Sequence, residues 1–361
     1  MSTRIVLMAN NIDEIGGAQR VVHALASGFA DRGFDTCIVG VEPREPLLQL
    51  SDVNYQVIRL LEQPYAKDEG PELQAQQESA RAALQSILDA GPPGIIITAQ
   101  VWAMEHVARC QSDGWRTIGQ YHSSFQAAQF GPDLQRLIDA YSQSDLFLAL
   151  TETDARSFTA IGFNNAFAMP NPIARWPEFP ADADSRTITY LGRFSAEKAP
   201  MTLMQAWRML TEAGQLPDWN LQFVGSGPHV GQLQEACAVL PRVRVHDQVA
   251  DPYSVLSATG ILAVPSLVEG LPLVIMEALA SGVPVVASDC SAGVRELLAD
   301  ESVGVLVNRG DAVALARGLR RLGEHPSLRA SMSARGPELM GAYDLDRIMD
   351  RWERVIADVM R

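Results

Sequence analysis

Two hydrophobic periods alternate along this chain of 361 residues. Arg4–Ala9 is a compact apolar run with β-branched members, the pattern of a buried strand. Ala18–Arg32 then puts Val21, Val22, Leu25 and Phe29 on one helical face and stops at Gly33. The same alternation predicts strands at Thr36–Val41, Tyr55–Leu60, Gly94–Thr98, Thr117–Tyr121 and Leu146–Leu150. Helices such as Leu73–Asp89, and a shorter one reaching Phe158–Ile161, fall between them. Nearly continuous apolar strands separated by amphipathic helices predict a parallel sheet covered on both faces.

The pattern breaks at Pro170-Asn171-Pro172 and again from Trp176 to Pro180, where proline stops any helix or central strand. It restarts with strands predicted at Thr187–Leu191, Leu221–Val224, Val243–Val245, Ile261–Val264, Val283–Ala287 and Val303–Val307. Helices are predicted at Met201–Ala213, Val230–Val239, Val274–Ala280, Ala312–Leu322 and Leu345–Met360. The expected organisation is α/β: one doubly wound Rossmann-like domain over 1–180, a second over 181–342, and a last helix over 343–361. Ligands of such sheets bind beyond the carboxyl ends of the strands, so two such domains are expected to face each other across a cleft.

Composition narrows the class. With 47% hydrophobic and 20% charged residues, the chain has enough apolar surface for two packed cores, which excludes disorder. The net charge is −14, and the first 179 residues carry 12 basic against 21 acidic side chains. No basic cluster stands out, which argues against a nucleic-acid partner and against docking on a bare anionic membrane. The four cysteines are scattered without a CxxC pair, as expected of reduced thiols in a cytoplasmic protein. No apolar run approaches the ~20 residues that span a bilayer, and the opening MSTRIVLMANN reads as a strand, not a signal peptide.

The unusual residues cluster just after strands. Glu269-Gly-Leu-Pro-Leu-Val-Ile-Met-Glu277 follows the strand Ile261–Val264 and runs from loop into helix. Such a turn offers amide N–H groups and the positive end of a helix dipole, a site for a diphosphate. Carboxylates on either side of it suit the hydroxyls of a nucleotide sugar. By spacing alone, a loop cap at Glu269 and a solvated Glu277 read equally well. Arg193 and Lys198 follow the strand Thr187–Leu191, and Lys198 is one of only two lysines in the chain. Two cations there can neutralise a diphosphate without a metal, although a plain surface loop fits the same residues. Gly225-Ser-Gly227 with Gly231 imitates a dinucleotide fingerprint; the blander reading is a tight turn. Gly16-Gly17 opens the first helix and permits close backbone approach to a ligand. His122 ends the strand Thr117–Tyr121. Asp182-Ala-Asp184 is a D-x-D, but it lies in polar linker, which favours linker over metal site. Walker, HExxH and G-x-S-x-G motifs are absent from the sequence.

In order along the chain, GGAQRVVHALASGFADRGFDTCIVG, MPNPI, YLGRFSAEKAP, LQFVGSGP, PSLVEGLPLVIMEALASGVPVVASD and GVLVNRGD resemble the retaining nucleotide-sugar glycosyltransferases of the GT-B fold, family 4. The resemblance implies that Arg193 and Lys198 bind the donor diphosphate, Glu277 the ribose and Glu269 the transferred sugar. It places the backbone of Gly270, Leu271, Pro272, Leu273 and Val274 against sugar and phosphate, Gly225 and Val249 beside the nucleotide, and Gly16 and Gly17 near the phosphate. His122 is implied near the anomeric carbon and a sugar hydroxyl. Many members carry glycine where this chain has Pro272, which removes one amide donor. The implied reaction moves a hexosyl or N-acetylhexosaminyl group from a UDP-linked donor to a hydroxyl acceptor, with retention and no metal cofactor. The acceptor pocket is expected from residues 42–93. A UDP-sugar epimerase of the same fold, an NAD(P)-dependent dehydrogenase and a non-catalytic sugar-nucleotide binder are the competing readings.

Overall fold

The structure is a computed structural model and describes residues 2–14, 16–44, 53–68, 70–299 and 301–361. It divides into two compact units, residues 1–174 with 344–361, and residues 175–343.

The first unit contains β1 (Arg4–Ala9), α1 (Gly17–Asp31), β2 (Asp35–Gly40), β3 (Gln56–Arg59), α2 (Pro71–Asp89), β4 (Ile95–Thr98) and α3 (Val101–Val107). It continues with β5 (Arg116–Gln120), α4 (Phe125–Phe130), α5 (Asp133–Tyr141), β6 (Leu146–Ala149), α6 (Glu152–Ala160) and β7 (Ala166–Ala168). The strands are parallel and lie in the order β3-β2-β1-β4-β5-β6-β7. Ile5, Val6, Ile96, Ile118 and Phe147 are fully buried, as strands covered on both faces must be. Edge-on aromatic packing of Phe147 with Phe158 of α6 and with Tyr141 of α5 fixes those helices to the sheet.

The second unit contains β8 (Thr187–Leu191), α7 (Pro200–Glu212), β9 (Asn220–Val224), α8 (Val230–Val239), β10 (Val243–His246), α9 (Tyr253–Leu256) and β11 (Ile261–Val264). It continues with α10 (Leu273–Ala280), β12 (Val285–Ser288), α11 (Ala292–Leu297), β13 (Gly304–Val307), α12 (Ala312–Glu324) and α13 (Pro326–Met340). Its parallel order is β10-β9-β8-β11-β12-β13. The chain winds outward from β8 in one direction and from β11 in the other, so the switch point lies between these two strands. Tyr190 packs at a tilt against both Phe223 and Phe194 in the core beside it, and Trp207 is fully buried.

After the second unit, α14 (Leu345–Val359) packs against α1 of the first. Trp352 sits edge-on to Phe29 with the ring centres 5.7 Å apart. Arg32 pairs with Asp346, Asp350 and Glu353 on the exposed side of the contact.

The strands Arg4–Ala9, Thr187–Leu191 and Ile261–Val264 coincide with their predicted ranges. The strand expected from Val283 begins at Val285, because Pro284 has no N–H to give the ladder. Helices α3, α4, α5, α9, α11 and α13 and the short β7 had no counterpart in the periodicity. Within the stretch 42–93 expected to line the acceptor pocket, positions 45–52 and 69 lie outside the described residues.

Candidate active site

The switch point of the second unit brings together segments more than 70 residues apart in the chain. The loop after β8 carries Arg193 and Lys198; the loop after β11 carries Glu269 and leads into α10. Lys198 Nζ lies 2.7 Å from Glu269 Oε2, and Ser266 Oγ donates to Glu269 Oε1 at 2.7 Å. The amides of Leu267 and Val268 donate to the Glu197 carbonyl at 2.7 and 3.4 Å, tying the two loops backbone to backbone. Glu269 is 8% exposed and Lys198 31%, so the carboxylate is buried and the ammonium reaches solvent. The pair uses one of the three Lys198 protons; two remain for another acceptor.

The loop after β8 is tightly set. Tyr190 Oη donates to the Arg193 carbonyl at 2.5 Å, while the Arg193 side chain is exposed. Lys198 is followed by Ala199 in the left-handed region at φ 47°, directly before Pro200 opens α7. A non-glycine residue there costs about 1–2 kcal/mol, which the surrounding contacts must offset.

Glu277 is 6% exposed, on the second turn of α10. Among the described residues no side chain caps α10, whose N-cap is Pro272. The first-turn amides of a helix lack intrahelical acceptors, so Leu273 and Val274 present N–H groups between the two glutamates. Pro272 itself has none. Behind this loop, Ser291 Oγ donates to the Gly270 carbonyl at 2.9 Å and caps α11 by accepting from the Val294 amide. Cys290 is buried beside Glu269; burial first and that carboxylate second push its thiol up to about 12, so it is not a nucleophile at neutral pH.

Gly225 and Gly227 have another role than a dinucleotide fingerprint. Their φ angles are 155° and 146°, and a Cβ on Gly225 would fall 1.9 Å from the Gly192 carbonyl oxygen. A Cβ on Gly227 would fall 2.6 Å from the Phe194 carbonyl oxygen. These glycines let the loop after β9 lie against the loop after β8, where the Phe194 amide donates to the Ser226 carbonyl at 2.7 Å. The packing of these two loops is therefore sufficient reason for both glycines. Further along the sheet, Gln248 Oε1 accepts from Ser226 Oγ at 2.6 Å, next to Val249 beyond β10.

The first unit has its own switch point, between β1 and β4. The Asn10 amide there donates to Gln100 Oε1 at 2.8 Å, joining the loops after the two strands. Gly16 is the N-cap of α1 and Gly17 its first residue. The loop before them is pinned: Asp13, 1% exposed, accepts from Arg59; Gln19 donates to Asn11 Oδ1 at 2.9 Å; His23 Nε2 lies 2.8 Å from the Ile12 carbonyl. His122, beyond β5, has Nδ1 3.1 Å from Asn171 Oδ1. Burial pulls its imidazole down to about 4, so the ring is neutral at physiological pH. Ser266 and the Asp13–Arg59 pair were not singled out by sequence, and Asn171 stood out only within MPNPI, with no role given to it. The signals available were the serine three residues before Glu269 and the asparagine enclosed by prolines.

Comparison with known proteins bears on the class and the fold. A family model described as Glycosyltransferase Family 4 matches residues 15–174, and one described as Glycosyl transferases group 1 matches residues 185–325. The chain is a glycosyltransferase. It is 25% identical over 353 residues to an uncharacterized glycosyltransferase of Haemophilus influenzae, covering 96% of this chain and 98% of the other. It is 21% identical over 378 residues to the amylovoran biosynthesis glycosyltransferase AmsD of Erwinia amylovora, covering 98% and 99%. The structure of Anabaena HepE in complex with UDP and glucose superimposes with a TM-score of 0.82 at 18% identity, over 99% of this chain and 100% of that one. The glycosyltransferase therefore has the GT-B fold of two Rossmann-like domains. Among its described residues no helix is long and apolar enough to cross a membrane. None of these similarities supports the dehydrogenase reading.

Proposed function

We propose that this glycosyltransferase moves a hexosyl or N-acetylhexosaminyl group from a nucleotide-diphosphate sugar, UDP-linked, to a hydroxyl acceptor, with retention and without a metal ion. The observation that carries the reading is the Lys198–Glu269 pair at the β8/β11 switch point, beside the first turn of α10. In this reading Arg193, Lys198 and the amides of Leu273 and Val274 take the diphosphate, where negative charge grows as the C1–O bond to phosphate breaks. Glu269 accepts from hydroxyls of the transferred sugar and Glu277 from those of the ribose. Gly270, Leu271 and Pro272 shape the sugar side; Gly225 and Val249 border the nucleotide. Gly16, Gly17 and His122 are further candidate contacts of the donor. The acceptor oxygen forms the new bond to C1, its proton leaves to solvent or to the released diphosphate, and UDP departs. The glucose and UDP held by HepE support a donor of this class.

Donor hydrolysis tests the reading without knowledge of the acceptor. A panel of UDP- and GDP-sugars is incubated with the enzyme and release of the nucleotide is followed, with and without EDTA. Slow release from a UDP-sugar, unaffected by EDTA and giving the retained anomer by NMR, is the expected result. Loss of release in EDTA, or the inverted anomer, refutes it. Epimerised sugar without any transfer would establish the epimerase instead.

A further inference from the structure

His122 combines two features that together fix what its ring can do. Nδ1 faces Asn171 Oδ1 at 3.1 Å, while Nε2 is buried with no hydrogen-bond partner among the described residues. An amide oxygen can only accept, so the proton of the neutral ring resides on Nδ1. Nε2 then holds a lone pair and no hydrogen. A buried acceptor without a donor costs free energy that a ligand's donor can recover.

Asn171 is built to hold that contact. It is 5% exposed and stands between Pro170 and Pro172. Pro170 fixes its own φ, and Pro172 confines the residue before it to extended backbone. The segment is also tied to the sheet: the Met169 amide donates to the Ala149 carbonyl at 2.8 Å, and the buried Gln120 side chain donates to the Met169 carbonyl at 3.2 Å. The ends of β5 and β6 thereby set both the imidazole and the amide against it. Burial keeps the ring neutral, holding it at about 4.

We propose that Asn171 is a positioning residue that locks His122 in the Nδ1–H tautomer, which leaves Nε2 as the ring's acceptor for a hydroxyl of a ligand. The proposal rests on the nucleotide-sugar reading for the identity of that hydroxyl. It gives His122 one role: it holds an O–H group in place and does not protonate the departing diphosphate.

The tautomer is measurable without any substrate. Long-range nitrogen–proton correlation on protein carrying 15N-histidine, with the His122 signals assigned by their loss in H122Q, is expected to show Nδ1 protonated and Nε2 bare at neutral pH. A ring protonated on Nε2, or averaged between the two forms, overturns the lock. In N171L, which removes the acceptor, the ring is expected to shift toward the Nε2–H form. kcat is expected to fall about ten- to hundredfold, with the donor KM within about threefold of wild type. An unchanged ring signal in N171L also overturns the lock, and the wild-type spectrum decides the matter should N171L not fold. Full turnover by H122Q beside a wild-type Nδ1–H signal would leave the lock standing and remove the sugar-hydroxyl role. A wild-type ring protonated on Nε2 would remove both, because Nε2 could then accept from no hydroxyl.

Discussion

Replacing Lys198 with methionine separates what the Lys198–Glu269 pair does for the fold from what it does for transfer. The substitution keeps most of the side-chain volume and removes the charge 2.7 Å from a carboxylate that is 8% exposed. Stripping one partner from a fully buried pair costs about 3–5 kcal/mol, whereas exposed pairs are worth about 0–1. Lys198 is 31% exposed, so about 2 kcal/mol is expected. For a domain of this size that is about 4–8 °C in Tm. E269Q alone should cost less, since its amide oxygen still accepts from Ser266 and the lysine it releases reaches solvent. The double variant K198M/E269Q should regain most of the lost Tm, because no buried charge is left alone. Turnover behaves differently. Loss of one preorganised donor to the departing diphosphate costs about 3–4 kcal/mol, two to three orders of magnitude. The double variant should recover none of it. Differential scanning calorimetry and turnover at saturating donor, run on wild type, both single variants and the double, form a double-mutant cycle. Turnover of K198M within about tenfold of wild type would refute the diphosphate role. A double variant as unstable as K198M would refute the buried-charge origin of the stability loss.

Arg193→Ala should lower turnover at saturating donor by about two to three orders of magnitude, while its exposed position keeps the stability change within about 0.5 kcal/mol by urea unfolding. Gly225→Ala forces a Cβ against the Gly192 carbonyl at a φ of 155°, so a loss above about 2 kcal/mol is expected; an unchanged Tm would remove the packing role of that glycine. The His122 imidazole, pulled from 6.5 to about 4 by burial, stays neutral in the native state where the unfolded chain takes up a proton. Its contribution is therefore intact above about pH 6.5 and lost as pH falls toward 4, reaching about 2 kcal/mol near pH 5. Urea midpoints at the two ends of that window should converge in H122Q; an equal acid drop in wild type and variant would contradict the buried neutral ring.

The elements that build the candidate site were legible because strands in a parallel sheet are buried on both faces. Ile261–Val264 has nothing polar in it, unlike a half-exposed strand, and Gly260 and Pro265 bound it too closely for a helix. Strand ends follow from such runs, and Arg193, Lys198 and Glu269 became candidates because they stand in the loops just beyond them, with Glu277 in the helix that follows. The helices α3, α4 and α11 escaped notice because each is at most seven residues, too short for a 3.6-residue period to show. Over α13, Pro337 lies inside the helix and the buried positions form no stripe. Strand order was the deeper gap, since periodicity says nothing about which strands are neighbours. Nothing local to GRFSAEK or to PSLVEGLP states that β8 and β11 lie side by side. That adjacency follows from winding the chain outward from β8, returning, and winding outward from β11 with right-handed crossovers. It is what sets a lysine beside a glutamate 71 positions away in the numbering and leaves the first turn of α10 between them. Asn171 is a second case. Its two prolines were legible as a domain break, but the partner they hold it against lies at the end of β5, and only the β5–β6 pairing brings the two together. The sequence thus carries the chemistry at strand ends, and the topology decides which ends meet.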